Sequence, residues 1–274
     1  MTARILAALT AAALAGCTPP PEAPDDLSDL SRYLIREYDN EDPRALQVGI
    51  ESLEPHLAGL DLTGPRGDRA FLPDDLVDDD LAAITHPDAP LAGCVPVAVA
   101  GQSRHEVLWF GELAQIVDQT PGEPSAETYA RNFLAPDDPT CFADASCAHM
   151  ETVNDVRRSN AIYTVEYSMF KDFRWVDVVA EGEPTGRRAL LTRSWITEPA
   201  VGVNNQNTIV HSYTLDVMIG EDDGTTSRYQ VLWSEADLVL DVEDDITAGT
   251  LRIAIDQYFV AQDNAIEDAF APGG

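Results

Sequence analysis

The chain has 274 residues, of which 48 are acidic and 17 are lysine or arginine, so its formal net charge is −31. This length is enough for one large domain or two small ones with an ordinary hydrophobic core. Such an acidic surface repels phosphate groups, which argues against nucleic acid and anionic lipid headgroups as partners.

The N-terminus has the pattern of an export signal. Arg4 precedes an apolar run at 5–14, and small residues follow it. As a helix, ten apolar residues would rise only ~15 Å, too little for a hydrocarbon core of ~30 Å. The pattern therefore predicts a cleaved signal peptide rather than a membrane span.

The residues Leu14-Ala15-Gly16-Cys17 resemble the lipobox of bacterial prolipoproteins. This resemblance implies that residues 1–16 are removed, that Cys17 carries a diacylglyceryl group on its sulfur, and that its new amino terminus is acylated, for example with palmitate. Several acyl chains on one residue give stable attachment, so the membrane is the expected partner.

A proline-rich tether is predicted at 17–26, because proline fixes φ and lacks an amide hydrogen. The residue after the cysteine is Thr18 rather than aspartate. In enterobacterial lipoproteins, aspartate at this position favours retention in the inner membrane. The resemblance therefore implies a lipid-anchored protein of the cell envelope, in the outer membrane rather than the inner one.

Two short helices and an acidic loop are predicted in the segment 27–92, which we expect to pack on a sheet. The first helix covers 27–38 after Asp26, and the second covers 42–53 after an Asp-Pro start. The segment 59–90 is rich in Gly, Pro and Asp. Its spacing does not match an EF-hand loop, which favours a solvated loop over a calcium site.

An antiparallel β-rich domain is predicted for 93–274. Alternating patterns predict strands at 95–99, 107–117, 163–169, 174–178, 187–197, 209–219 and 229–233. A phase shift predicts a bulge at Ser234-Glu235, after which the strand extends through 236–242. An acidic Gly-containing turn at 221–224 predicts a hairpin. Short helices are predicted at 125–134 and 152–158. The segment 251–255 favours a strand followed by a short helix at 264–270, and a single C-terminal helix from Thr250 is the alternative.

Seven or eight antiparallel strands, several of them about ten residues long, twist and curl strongly. The expected fold is therefore α+β: short N-terminal helices and acidic loops, then a strongly curved antiparallel sheet that is barrel-like or helix-grip-like.

Three cysteines remain besides Cys17. Cys141 and Cys147 bracket five residues, and in an exported protein they could form a disulfide, leaving Cys94 as a buried thiol. Pairing of Cys94 with either of them is the competing arrangement. A zinc site is disfavoured because the spacing lacks a second cysteine pair.

The motifs predict no catalytic residue, metal ligand or cofactor. Ser168-Met-Phe-Lys171 resembles the Ser-x-x-Lys pattern of penicillin-recognising acyl enzymes. However, it falls on a predicted strand, and Lys171 is the only lysine of the chain, so the later Lys-Thr-Gly of that family cannot occur. The five histidines show no zinc-binding helix pattern. We therefore expect a non-enzymatic protein.

A ligand cavity is predicted around aromatic residues of the strands, with one histidine as a polar anchor among apolar walls. The candidate residues are Trp109, Trp175, Trp195, His211 and Tyr213.

The leading hypothesis for the function is a membrane-anchored envelope lipoprotein with a non-catalytic binding or structural role, whose partner is an envelope protein. The alternative is a carrier of a small hydrophobic ligand in a β-barrel-like cavity, by analogy with lipocalin-like or helix-grip folds. A hydrolase whose active site follows no known motif is the third hypothesis.

Overall fold

The computed structural model describes residues 21–62, 69–84, 91, 93–159, 164–203, 207–237 and 244–270, with the side chains of the last segment described from 252 onward. The predicted signal peptide and Cys17 lie outside these residues. The proposed strand extension at 238–242 also lies outside them. None of the helices described is long and apolar enough to cross a membrane.

One antiparallel sheet of nine strands organises the described part of the chain, in the order β1-β2-β9-β8-β6-β5-β4-β3, with β7 paired to β8. The α+β class with a large antiparallel sheet is confirmed. The strands are β1 (Ala70–Phe71), β2 (Val95–Ser103), β3 (Ala126–Ala135), β4 (His149–Ser159), β5 (Thr164–Ala180), β6 (Glu183–Ile196), β7 (Ala200–Val201), β8 (Thr208–Gly220) and β9 (Thr226–Asp237).

Two helices cover one face of this sheet, here called the α1/α2 face. They are α1 (Leu27–Arg36), capped by Asp26, and α2 (Pro43–Leu57), capped by Asp42, so both predicted helices and both caps are confirmed. Their apolar sides pack on alternate strand residues, which form the largest core of the protein. Those strand residues include Ala98, Val176, Leu191, Leu215, Val217, Val231 and Trp233.

Part of the acidic segment 59–90 is structural rather than solvated. It contains the short helix α3 (Asp78–Ala82), and the side chain of Asp80 is fully buried. Asp80 accepts hydrogen bonds from Arg32 Nε at 2.7 Å and from Arg36 Nη1 at 2.8 Å. This carboxylate therefore ties α3 to α1.

The opposite face, here called the α6 face, is covered by three helices: α4 (Val107–Ala114), α5 (Thr140–Ala143) and the long α6 (Asp244–Phe270). Tyr258 on α6 lies 3.3 Å from Arg158 Nη1 on β4, while the next residue, Phe259, packs on Val97 and Val99 of β2. β2 and β4 lie five strand positions apart, about 24 Å in a flat sheet at ~4.8 Å per strand. A helix is only ~10–12 Å wide, so the sheet curls around α6.

Three predicted elements before β5 are wrong. The segment 107–117 contains the helix α4, because Val107, Phe110 and Ala114 bury one helical side. The segments 125–134 and 152–158 lie in β3 and β4, which pair with each other. Their inward positions include polar residues such as Arg131 and Asn154, both buried. The apolar alternation typical of a strand is therefore missing from the sequence.

Three further predictions need correction. The segment 251–255 belongs to α6, so the alternative of a C-terminal helix is right and the strand is wrong. The described residues 164–169 and 174–178 of two predicted strands belong to one continuous strand, β5, and residue 163 lies outside the described residues. The register shift lies between Ile209 and His211 on β8, opposite Glu235 and Ala236, so the extra residue is on β8 rather than on β9.

The three cysteines among the described residues form one disulfide and leave one free thiol. Cys141 and Cys147 form the disulfide, at and just after α5. Cys94 is a free buried thiol on the α1/α2 face, and burial raises its pKa to about 12.

We predict that Gly101→Ala destabilises the protein by about 1–3 kcal/mol, the usual effect of overpacking. A Cβ atom at Gly101 would lie 2.1 Å from Cε1 of Phe259, so α6 would have to move away from β2. Urea unfolding measures the change, and Phe259→Leu provides the second mutation of a double-mutant cycle. The cost of Gly101→Ala should fall when Phe259→Leu is present. An unchanged cost would contradict this contact.

Candidate functional site

A cavity of about 450 Å³ lies between the α6 face of the sheet and α6 itself. Successive side chains of a strand point to opposite faces, so every second residue of the central strands lines it. From β5, β8 and β9 these residues are Val165, Tyr167, Met169, Lys171, Ser212, Thr214, Asp216, Arg228, Gln230, Leu232 and Ser234.

A second, smaller space of about 60 Å³ lies deeper, against Phe110 and Leu113 of α4. The two spaces share a set of mostly charged or polar lining residues, which therefore stands between them. The shared residues are Glu123, Tyr129, Lys171, Asp216, Arg228 and Gln262.

A buried ion pair between Arg228 and Asp216 is the centre of this shared set. Arg228 Nε donates to Asp216 Oδ1 at 3.0 Å, and Nη2 donates to Oδ2 at 2.6 Å. Nη2 also donates to Gln262 Oε1 of α6 at 3.0 Å, and Gln262 Nε2 donates to Glu123 Oε1 at 2.8 Å. Such two-point contacts with a carboxylate fix both distance and orientation. The network therefore connects β8 and β9 to α6.

Glu123 connects α6 to β4 at the side of the cavity. Its Oε2 accepts hydrogen bonds from Arg158 Nη2 at 3.2 Å and from the hydroxyl of Tyr258. Arg158 Nη1 also donates to Ser125 Oγ at 2.8 Å. Burial, together with the charge of Glu123, raises the pKa of Tyr258 far above its ordinary value, so this phenol stays protonated and acts as a donor.

Lys171, the only lysine of the chain, also lines both spaces. Its Nζ lies 5.4 Å from the ring centroid of Phe173. Burial and, secondarily, the nearby charge of Arg131 lower its pKa to about 8. Lowering by burial means that the ammonium has lost hydration that the protein does not fully replace.

The lining changes in character along the strands. Residues 208–212 of β8 and 234–237 of β9 are all partly or fully exposed, whereas 215–220 of β8 are buried. Both apolar and polar side chains line the more exposed end of the cavity. The apolar ones are Val165, Ile209, Leu232, Ala236, Ala254 and Ile255, and the polar ones are Asn207, Thr208, Ser212 and Ser234. Arg158 also lies at this end, opposite Val165 in the pairing of β4 and β5. Lys171, Asp216 and Arg228 lie where the two spaces meet, at the inner end. The cavity therefore has a charged inner end and a mixed, partly apolar outer end.

None of the five residues predicted to line a cavity lines this one. Trp195 and Tyr213 belong to the core under α1 and α2, on the other side of the sheet. His211 is on the same strand as Tyr213 and two residues before it, and its Nε2 lies 3.6 Å from Oε2 of Glu235. The apolar alternation identified a buried face correctly, but that face is filled by helices.

The other two predicted residues lie on the α6 side but in a filled core around α4. Trp109 is on α4 rather than on a strand, and its ring stacks on His105 at 4.1 Å. Trp175 donates its Nε1 hydrogen to the carbonyl oxygen of Phe142 at 2.8 Å.

The signal that the sequence analysis missed is the polar alternation of the same strands. In β8, Ser212, Thr214 and Asp216 alternate with the apolar residues that pack on α1 and α2. Lys171 on β5 also faces the cavity, but its direction follows from the pairing of the strands rather than from a local pattern.

The Ser-x-x-Lys resemblance has no structural counterpart. Ser168 and Lys171 are three residues apart on one strand and therefore point to opposite faces. Ser168 Oγ donates to Asp155 Oδ1 at 2.9 Å at the surface, away from the cavity. Within the described residues, no group of three or more His, Cys, Asp or Glu side chains comes together as metal ligands.

We predict that Arg228→Met lowers the free energy of unfolding by about 3–5 kcal/mol, because the mutation leaves the Asp216 carboxylate buried without its partner. Adding Asp216→Asn removes that unpaired charge, so the double variant should be more stable than Arg228→Met alone. Urea unfolding measures both. Arg104→Met, which removes an exposed arginine 3.9 Å from Glu267, is the control and should change stability by about 0.5 kcal/mol or less. A double variant less stable than Arg228→Met would contradict the assignment.

Comparisons with known proteins give shape similarity alone. No protein-family model and no curated protein sequence matches the chain. Among solved structures, the Zhui aromatase/cyclase from Streptomyces sp. R1128 is 13% identical, with 66% of this chain and 99% of that one covered and a TM-score of 0.40.

Two further solved structures show similarity at the same level. A STAR-related lipid transfer protein fragment from Xanthomonas axonopodis is 10% identical, with 66% of this chain and 90% of that one covered and a TM-score of 0.41. A START superfamily protein from Mycobacterium smegmatis is 10% identical, with 63% of this chain and 97% of that one covered and a TM-score of 0.35. At these values the similarities assign neither a family nor a ligand to this chain.

Proposed function

We propose that this protein is a carrier that holds one small, largely apolar ligand in the cavity between the curved sheet and α6. The observation that carries the proposal is the cavity of about 450 Å³ itself. Pockets that bind small molecules typically measure ~300–1,000 Å³ and combine apolar walls with a few placed polar groups. The apolar residues of the lining, together with its few charged residues, fit that description.

A carrier is a better fit than a hydrolase for the lining that the structure describes. No histidine or cysteine is among the described lining residues. The two carboxylates of the lining, Asp216 and Glu123, already accept hydrogen bonds from arginine side chains. A carboxylate held in this way orients its neighbours instead of acting as a general base. We therefore propose that the protein binds its ligand without a chemical step.

We predict that Thr214→Trp, which fills the middle of the cavity, weakens binding of the neutral fluorophore N-phenylnaphthylamine at least tenfold. Thr214 lines the cavity on β8, so an indole there takes the volume of the ligand. A fluorescence titration measures the dissociation constant. Leu134→Trp is the matched control: Leu134 lies on β3, is 49% exposed and lines neither space described above.

The control variant should bind the fluorophore as the unmodified protein does. Equal binding by both tryptophan variants would place the fluorophore elsewhere and count against the carrier. Native mass spectrometry of the purified protein gives an independent result, because a carrier is expected to retain a cellular ligand that Thr214→Trp loses.

We further propose that the carrier is anchored in the cell envelope by lipid on Cys17, in the outer membrane. Two features of the sequence support this: the Leu-Ala-Gly-Cys pattern at 14–17 and the proline-rich tether at 17–26. The net charge of −31 opposes adhesion to anionic headgroups, so attachment would depend on the acyl chains.

We predict that Cys17→Ser abolishes metabolic labelling with palmitate and moves the protein out of the membrane fraction. The cavity lies in a different part of the chain, so fluorophore binding should be unchanged. Cys94→Ser is the control, since Cys94 is buried in the fold and should not affect labelling. Labelling that survives Cys17→Ser would refute the anchor. Separation of inner and outer membranes tests the location.

A further inference from the structure

The interior of this acidic protein has an excess of positive charge. Among the described residues that line the two spaces, four carry cationic side chains, Arg131, Arg158, Lys171 and Arg228, and two carry carboxylates, Glu123 and Asp216. The whole chain has the opposite balance, with a formal net charge of −31. The cavity therefore differs in sign from the surface around it.

The two carboxylates are already engaged by other cations. Both oxygens of Asp216 accept from Arg228. Glu123 accepts from Gln262 at one oxygen and from Arg158 and Tyr258 at the other. Hydrogen-bonding capacity left on these carboxylates is limited, and among the described residues neither forms an ion pair with the remaining two cations, Arg131 and Lys171.

Arg131 is satisfied by neutral groups. It is buried and donates to Asn154 Oδ1 at 3.1 Å and to the carbonyl oxygen of Ala114 at 2.5 Å. Its guanidinium therefore lies in the wall, held by β4 and α4. This leaves Lys171 as the cation that faces the cavity without an ion pair among the described residues.

The surroundings of Lys171 include both signs of charge from several elements. Arg131 on β3 and Arg228 on β9 disfavour its ammonium form, while Asp216 on β8 and Glu123, just before β3, favour it. Burial is the largest influence, and the resulting pKa of about 8 leaves the amine mostly protonated at neutral pH. An ammonium in a cavity, near the Phe173 ring and short of acceptors, is suited to an anion.

We propose that the ligand of this cavity is an amphipathic carboxylate, whose carboxylate group pairs with the Lys171 ammonium at the inner end. Its apolar body lies along Val165, Ile209 and Leu232 towards the exposed end. This inference rests on the proposed carrier function and adds the chemical class of the ligand. The position of Lys171, which lines both spaces, sets the proposed orientation, with the carboxylate group at the inner end.

The test compares a matched acid and alcohol, dodecanoate and dodecanol, as competitors of N-phenylnaphthylamine. The unmodified protein is expected to bind the acid at least tenfold more tightly than the alcohol. Lys171→Met should remove this preference by weakening the acid alone, and Lys171→Arg, which keeps the charge, should retain most of it. Arg104→Met removes a charge outside the cavity and should leave both affinities unchanged.

The outcomes separate this inference from the carrier function. If acid and alcohol compete equally, or if Lys171→Met binds the acid as well as the unmodified protein does, the carboxylate inference is wrong and the carrier function stands. If neither competes, the carboxylate inference fails, and the carrier function is decided by the fluorophore titration of Thr214→Trp and Leu134→Trp. Thermal melting of each variant shows that it is folded, and Lys171→Arg supplies a second folded comparison.

A spectroscopic measurement reports directly on the pairing. Because Lys171 is the only lysine, isotope-labelled lysine gives one side-chain signal in an NMR titration. Dodecanoate should raise the pKa of Lys171 above about 8, because a carboxylate partner favours the ammonium form. Dodecanol should lower it or leave it unchanged. An acid that binds without raising this pKa would overturn the proposed pairing.

Discussion

The ion pair between Arg228 and Asp216 is the contact on which the α6 side of the structure depends. It joins the neighbouring strands β8 and β9, and through Gln262 it reaches α6 and Glu123. Removing water from two charges is costly, and this geometry compensates through several hydrogen bonds at once. The same contact lies where the two interior spaces meet. It therefore holds the helix against the sheet and also sets the polar inner limit of the larger cavity.

The two faces of the sheet differ in what covers them: helices pack closely on one, and a cavity lies against the other. Residues such as Leu215 and Val231 pack on α1 and α2 and provide most of the apolar burial. Their alternating neighbours, such as Thr214 and Gln230, face a space that α6 covers without filling. Because α1 and α2 fill one side, the strands can carry polar residues on the other. The filled core and the lined cavity therefore lie on opposite sides of the same strands.

Local signals predicted the parts of the fold that local chemistry decides. Asp26 and Asp42 cap helices as expected, and the apolar alternation of β8 and β9 predicted their pairing around an acidic turn.

β3 and β4 were missed because polar residues, including Arg131 and Asn154, occupy their inward positions. Trp195 and Tyr213 were predicted to line a cavity and instead pack under α1 and α2, because apolar alternation marks burial but does not distinguish a filled core from a lined space. Lys171 was noted only as a lone lysine, since its inward direction depends on pairing across the sheet. Cys17 lies outside the described residues, and its lipidation stays a prediction.

The opposite signs of the surface and the interior have a kinetic consequence. An anion that approaches the protein meets the field of a chain with a net charge of −31 before it reaches the interior cations. Salt screens the outer field within ~10 Å at about 0.1 M, whereas contacts inside the protein are screened much less. Loading with a carboxylate would therefore speed up as ionic strength rises, while the strength of the final contact would change little. In a medium of changing salinity, the rate of ligand exchange would change with the ionic strength, and the amount of ligand bound would not.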